Sequence, residues 1–370
     1  MVAHAMGLRA HPVGGVCGPG TRPAADSALM NAAMCPSQPR ALSQTDLPVT
    51  LIEAVEAFKT AMLDVDRALK GHLVVDDVAQ REVSAGCDRV ESAMREHIER
   101  NPDLEYAIGQ YAFRETFPYF TRSRFVDRAF TKPRGYAGDF ATIDMLYEDA
   151  AEGDGRLGPL IDRWTRWVPA ARAVKNRRPL LAEAIREAAA DWRGSARMPV
   201  TSLAASPARE LFDVVTGPDR VSLFATCIDV DSQALAHTSA IANQLGVADQ
   251  FVFAKDNVVR LARGRGQTVL DPQALIYSLG LTAYLDDEAV VQLIDWAFDH
   301  LLPGGTLILG SVLPSNPDKV YMDHILEWRL IHRSADHLRD LFDRSRFRST
   351  RVLLRAEPAG VDLFATCRKA

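Results

Sequence analysis

The residues of this chain that could do chemistry gather at the downstream ends of short apolar runs. The stretch "VTSLAASPARELF" (200–212) passes from a β-rich run into a helical one across a tight turn. The backbone N–H groups of "AASPAR" (204–209) and the helix start behind them are placed to meet a polar ligand. Ser202, Ala204, Ala205, Ser206 and Glu210 belong to this connection. Asp229 closes the next run, "VSLFATCIDV" (221–230), where a carboxylate can accept both hydroxyls of a ribose, with Val230 beside it. "KDN" (255–257) closes the third, so that Asp256 and Asn257 could address an adenine edge. "YSLG" (277–280), with Tyr277 and Ser278, closes the fourth, at the mouth of any cleft. Plainer readings stand next to these. Residues 204–209 also read as an ordinary strand-to-helix connection with Pro207 in the first turn. Either Asp229 or Asp231 can cap the helix that follows, and their order favours Asp229 as ligand and Asp231 as cap.

Other candidates lie outside these runs. In "TKPRGYAGDF" (131–140), Pro133 and Gly135 are placed as the second and fourth residues of a turn, and Asp139 can cap a helix starting near Phe140. Arg134 either decorates that turn or pairs its planar fork with a carboxylate of a substrate or cofactor. Tyr136 would then line the pocket. Arg134, Tyr136 and Tyr277 are therefore the candidate catalytic residues. Asn176 and Arg177 follow a tryptophan-bearing helical stretch and are candidate substrate contacts. His324, Trp328, His332 and Arg333 recur at helical spacing after the fifth run; His324, Trp328 and Arg333 are taken as substrate candidates, although one or two of the group are expected to be structural and Trp328 is read as a core or pocket-wall residue. No Cys/His, Ser/His/Asp or metal-ligand pattern occurs in the cleft segments, and no metal is expected.

These side chains need a scaffold to position them. The 370 residues are 47% hydrophobic and 25% charged, enough for one large domain and a smaller one. The formal charge of −5 with interleaved signs offers no basic face for nucleic acid. The five cysteines are scattered, which fits a reducing cytoplasm better than a disulfide framework. No apolar run approaches the roughly 18 residues of a membrane span, and the start lacks the pattern of a secretion signal. Residues 1–45 read as a flexible Ala/Gly/Pro/Ser-rich tail, with Met34 a candidate internal start. Its "VGGVCGPG" (13–20) imitates a glycine-rich loop but follows no strand. From 46 to about 180 the apolar spacing is helical: Leu51, Val55, Phe58, Met62, Val65 and Leu69 form one stripe. Trp164, Trp167, Val168, Ala171 and Val174 form another, ending in "KNRRP" (175–179). After Pro199, β-rich runs at 198–204, 221–230, 250–254, 274–280 and 305–312 alternate with helices near 207–215, 231–245 and 286–302. Asp286 is a candidate cap for the last of these and "PGG" (303–305) its stop. Runs at 347–356 and 361–370 are predicted to close the chain as an antiparallel hairpin. The pattern predicts an α/β fold, a doubly wound and mostly parallel seven-stranded sheet over 181–370, preceded by a helical region over 46–180.

The strand order, the acidic "CIDVD" and "LLPGGTLIL" (301–309) resemble the class I S-adenosylmethionine-dependent methyltransferases over the C-terminal half. More narrowly, "KPRGYAGD" (132–139), "NRRP" (176–179), "SLAASPARE" (202–210), "LIYSLGLTAYL" (275–285) and "HILEWRLIHR" (324–333) resemble the bacterial group of extracellular-factor 3-hydroxypalmitic acid methyl ester biosynthesis proteins. The resemblance implies that S-adenosylmethionine is the cofactor, that Asp229 holds its ribose, that the 202–210 loop passes its methionine part, and that the helical part is a lid. The wider family has glycines where this chain has Ala204, Ser206 and Ala208. Alanine and serine there permit close backbone approach at negative φ and exclude glycine-only conformations. The implied reaction is O-methylation of a small carboxylate, such as a hydroxy fatty acid, positioned by Arg134. Two alternatives stay open: cyclisation of S-adenosylmethionine to azetidine-2-carboxylate, with Tyr136, Asp139, Tyr277 or Ser278 handling the amine, and a catalytically silent cofactor-binding regulator. Acceptor identity and oligomeric state are not legible.

Overall fold

The structure is a computed structural model describing residues 47–72, 76–148, 150–348 and 350–370. The predicted tail lies outside the described residues. The described residues form one compact unit.

The first half is helical: α1 (Val49–Lys70), α2 (Asp76–Arg100), α3 (Glu105–Phe120), α4 (Arg124–Thr131), α5 (Phe140–Tyr147), α6 (Gly158–Thr165) and α7 (Pro169–Asp191). The predicted stripe of α1 is buried at Leu51, Val55, Phe58, Met62 and Val65, where it meets Val83, Cys87 and Val90 of α2. Asp139 caps α5, its carboxylate accepting from the N–H groups of Ala141 and Thr142. The 132–135 turn closes as expected, with Gly135 N donating to Lys132 O at 2.8 Å.

The second half alternates β1 (Met198–Leu203), α8 (Arg209–Thr216), β2 (Leu223–Asp229), α9 (Ser232–Gln244), β3 (Phe251–Lys255), α10 (Val258–Ala262), β4 (Gln273–Ser278), α11 (Asp287–His300), β5 (Leu301–Val312), α12 (Lys319–His324), α13 (Ala335–Asp343), β6 (Leu353–Ala356) and β7 (Asp362–Arg368). These strands form one seven-stranded sheet in the order β3-β2-β1-β4-β5-β7-β6. Its first five strands are parallel, and β7 runs antiparallel to both β5 and β6. The central strand β1 is buried on both faces, as a covered parallel strand must be. The strand order reverses between β1 and β4, so the carboxyl ends of β1, β2 and β4 open on one crevice.

Several expectations need correcting. The tryptophan stretch is two helices with a break at 166–168, and Trp167 stands 55% exposed, outside the apolar face. The helix does not end at Pro179; α7 runs through it to Asp191 because Leu181, Ala182 and Ile185 are buried in the core that α7 shares with α8 and the sheet, which outweighs one missing N–H. "PGG" is no helix stop: Leu301 already pairs with Gln273, and a register irregularity takes up residues 302–305 before Thr306 meets Leu275. The 324–333 segment is not one helix, since α12 ends at His324 and His332 bridges to Val312. Residues 320–326 leave the sheet layer and join the core of the N-terminal helices, with Tyr321 beside Phe120 and Trp164. The helical part and the sheet are thus tied by α7 and by this segment.

Candidate functional site

The connection from β1 to α8 keeps a backbone its composition argues against. Ala204, Ser206 and Ala208 have φ of 51°, 52° and 47°, all left-handed. The condition of negative φ, under which alanine and serine would sit there without strain, is not met at any of the three positions. A non-glycine residue in this region costs about 1–2 kcal/mol, so the loop stores strain at the mouth of the crevice. Surrounding bonds hold it: Ala205 N donates to Ile228 O at 3.1 Å, and the Thr238 hydroxyl donates to Ser206 O at 3.1 Å. Ala204→Gly removes the Cβ penalty and adds unfolded-state entropy, so it is expected to stabilise the fold by about 0.5–1 kcal/mol. Urea unfolding of the variant checks this, and unchanged or lower stability would show that Ala204 is not strained.

Asp229 sits 4% exposed at the end of β2. Its Oδ2 accepts from Ser206 N at 3.0 Å and its Oδ1 from Asp231 N at 2.9 Å. Burial pushes its carboxyl up, opposed by those N–H bonds. Each oxygen retains a lone pair beyond the one used. Asp231 is the cap of α9, accepting from Gln233 N at 2.8 Å, the division expected from their order. Val230 next door is 42% exposed, and the Ser206 hydroxyl is buried without a hydrogen-bond partner.

The 132–139 turn lies against this end of the sheet. Tyr136 is half-buried close to Asp229 and meets Tyr284 edge-to-face at 6.2 Å. Burial first, and the Asp229 charge second, push its phenol far above the usual range. The Tyr284 hydroxyl accepts from Trp328 Nε1 at 2.8 Å, and burial pushes its pKa up to about 12. Gly138 lets these groups close up: a Cβ there would come within 2.7 Å of Trp328 Cζ2 and 2.8 Å of Tyr284 Oη. Gly138→Ala is therefore expected to lower turnover roughly tenfold, as overpacking of 1–3 kcal/mol displaces the aromatic wall. Steady-state rates, with circular dichroism as the folding control, measure this. Tyr284 was not singled out from the sequence, although "GLTAYL" placed it just beyond β4.

Other candidates turn out to be engaged in holding the fold. Arg134 donates from Nη1 to Asp231 at 2.9 Å and from Nη2 to Gln233, with its guanidinium 4.5 Å above the Phe140 ring. Both ends of the fork are used within the chain, so in this structure it straps the turn to α9. Arg333 is fully buried and bonded to Asp287, Thr282 O and Leu285 O. Asn176 donates to Glu357 at 2.7 Å, docking the β6–β7 hairpin. His324 packs on Gly109 of α3 with Nε2 3.3 Å from Glu105, inside the helical part and away from the crevice. Asp256 binds the N–H groups of Asn257, Gln267 and Thr268 and the Thr268 hydroxyl, while Asn257 caps α10. Those acceptors fold a loop, which leaves little for an adenine edge. Ser278 donates to Leu203 O at 2.9 Å. Tyr277 is buried and donates to Glu210 at 2.7 Å, while its partner Glu210 is held above the usual carboxylate range by burial. Ser202 lies next to that pair. A separate open groove of about 520 Å³ lies between α4, α5 and α9, lined by Arg128, Phe140, Asp144, Met145 and His237 among others. Among the described residues no cluster of three or more His, Cys, Asp or Glu side chains could hold a metal ion, and no helix is long and apolar enough to cross a membrane.

The sheet order with its antiparallel β7, and the acidic end of β2 beside the β1 loop, define a class I methyltransferase fold. Among solved structures, one from Bordetella parapertussis, described as a possible exported protein, is similar at 16% identity and a TM-score of 0.50, over 89% of this chain and 99% of that one. The magnesium protoporphyrin IX methyltransferase of Synechocystis is similar at 9% identity and a TM-score of 0.45, over 66% and 97% of the two chains. The pyocyanin biosynthetic protein PhzM is similar at 12% identity and 0.43, over 87% and 97%. No protein-family model and no curated protein sequence matches the chain.

Proposed function

We propose that the chain binds S-adenosylmethionine at the joined ends of β1 and β2 and transfers its methyl group to a small-molecule acid. The observation that carries this reading is Asp229, whose two oxygens are oriented by Ser206 N and Asp231 N and each keep a lone pair for a vicinal diol. The left-handed loop, the orphaned Ser206 hydroxyl and the exposed Val230 beside it fit the rest of a nucleoside and its tail. When bound, the cofactor supplies a methyl group made electrophilic by its sulfonium.

What the chain itself does is align and exclude water. Tyr136, Tyr284 and Trp328 wall the crevice mouth, and the Tyr136 face offers an electron-rich surface to a cation. None of the tyrosines here is a base at neutral pH, because burial keeps Tyr136, Tyr277 and Tyr284 protonated. A carboxylate acceptor needs no base, since it is already ionised at pH 7. The same facts weigh against cyclisation of the cofactor, which needs its amine deprotonated. Of the candidates for that task, Asp139 is held by Arg128 and two N–H groups, and Ser278 by Leu203 O.

The test is product analysis with S-adenosylmethionine, first alone and then with medium- and long-chain 3-hydroxy acids. Methyl esters and S-adenosylhomocysteine appearing only with an acid support the reading. Methylthioadenosine released from the cofactor alone would replace it with the cyclase, and failure to bind at millimolar cofactor would remove both.

A further inference from the structure

Resting on that reading, we infer that Arg177 is the residue that recognises a ligand carboxylate, the task the sequence had given to Arg134. Arg177 projects from the middle of α7 into the layer where the helical part meets the sheet, and its side chain is 14% exposed. It is surrounded from four elements. The Tyr147 phenol at the end of α5 lies close against it. Asp362 at the start of β7 lies 3.9 Å from Nη1, beyond hydrogen-bond range. Glu210 of α8 and Tyr284 of the crevice wall interact with it electrostatically.

A guanidinium carries five N–H donors in a fixed fork. Here Nε is buried with no partner at all, and the nearest carboxylate stands too far away to take up the fork. Burying an under-bonded cation is costly, so an anionic ligand that completes its hydrogen bonds is favoured at this position. Arg134 also has an unpartnered Nε, but both of its terminal nitrogens are tied to Asp231 and Gln233, which leaves no parallel pair of donors. Glu210 acts on Arg177 only through space: its Oε1 accepts from Tyr277, and neither of its oxygens forms an ion pair with the fork. The location narrows the ligand. Through Glu210 and Tyr284, Arg177 neighbours both the helix that follows the 204–208 loop and the aromatic wall. The carboxylate it meets therefore belongs either to the methionine end of the cofactor or to the acid acceptor.

The experiment compares wild type with Arg177→Gln and Arg177→Lys, the lysine variant keeping the charge beside Asp362 if glutamine impairs folding. Calorimetry is run with S-adenosylmethionine, with its decarboxylated analogue, and separately with 3-hydroxy acids in the absence of cofactor. If the cofactor supplies the carboxylate, wild type prefers S-adenosylmethionine to the analogue by at least tenfold, and the preference disappears in both variants. If the acceptor supplies it, cofactor affinity is unchanged, and acid binding and the KM for the acid weaken at least tenfold. Variants that fold and match wild type with every ligand overturn the assignment. Loss of cofactor binding by wild type would defeat the functional reading alone, and the acid arm then decides Arg177 by itself: acid binding lost in both variants upholds it, and any other result ends it.

Discussion

Asp229→Ala is expected to weaken S-adenosylmethionine binding by about two orders of magnitude, as measured by calorimetry. A carboxylate accepting two ribose hydroxyls makes two charge-assisted bonds, each contributing about 1.5–3 kcal/mol, and losing both gives a hundredfold change or more. The substitution also strands the N–H groups of Ser206 and Asp231, which now donate to this carboxylate. Leaving buried donors unmade costs about 1–3 kcal/mol each, so the alanine variant should unfold at lower urea as well. Asp229→Asn separates the two effects. It keeps one oxygen for a backbone donor, sets its NH2 against the other and removes the charge, so it should be more stable than the alanine variant while binding cofactor as weakly. An asparagine variant with wild-type affinity would show that the ribose is held elsewhere.

That Asp229 could be singled out at all reflects which features the sequence encodes locally. The apolar β-branched runs fix five parallel strands, and the terminal pair of runs becomes the β6–β7 hairpin as expected. Caps are equally local: Asp139, Asp231 and Asp286 each accept from an N–H one turn or less ahead. Backbone strain is not local. Nothing in "AASPAR" announces left-handed residues, because the conformation is imposed by Ile228 O, Thr238 and Asp229, which come from other elements. Arginines are the hardest case. Arg134, Arg177 and Arg333 look alike in sequence, and only their partners distinguish a strap, an under-bonded cation and a rivet across 282–287. The 324–333 segment misled through spacing alone, since its apolar residues answer to the helical core and not to one continuous helix.

Glu91→Gln is expected to stabilise the protein at alkaline pH and to leave it nearly unchanged in acid. Glu91 lies on α2, 7% exposed, facing Asp318, which is 2% exposed at the start of α12. Asp318 also accepts from Ala170 N at the head of α7, so this carboxyl pair joins α2, α7 and the segment that leads to Trp328. The groups around the pair are Asp88 and Arg95 on α2 and Arg172 on α7, and Glu91 Oε1 has no partner. Burial, reinforced by the Asp318 charge, pushes the Glu91 carboxyl up to about 9. A carboxyl raised in the folded state binds its proton more tightly there than in the unfolded chain. Folded stability is therefore highest below the ordinary pKa near 4.5, declines as pH rises from there to about 9, and is level beyond it. At pH 8 the cost is about 2–3 kcal/mol once screening and sharing of the proton within the pair are allowed for. Glutamine cannot ionise, and its amide can still donate to Asp318. Denaturation in urea should show the variant ahead by that amount at pH 8 and within about 0.5 kcal/mol at pH 4.5. A difference independent of pH would mean that Glu91 is paired otherwise. Because the same contact anchors the segment carrying Trp328, wild-type turnover should fall above pH 9 while the glutamine variant holds its rate, which would link the packing of the N-terminal helices to the position of Trp328.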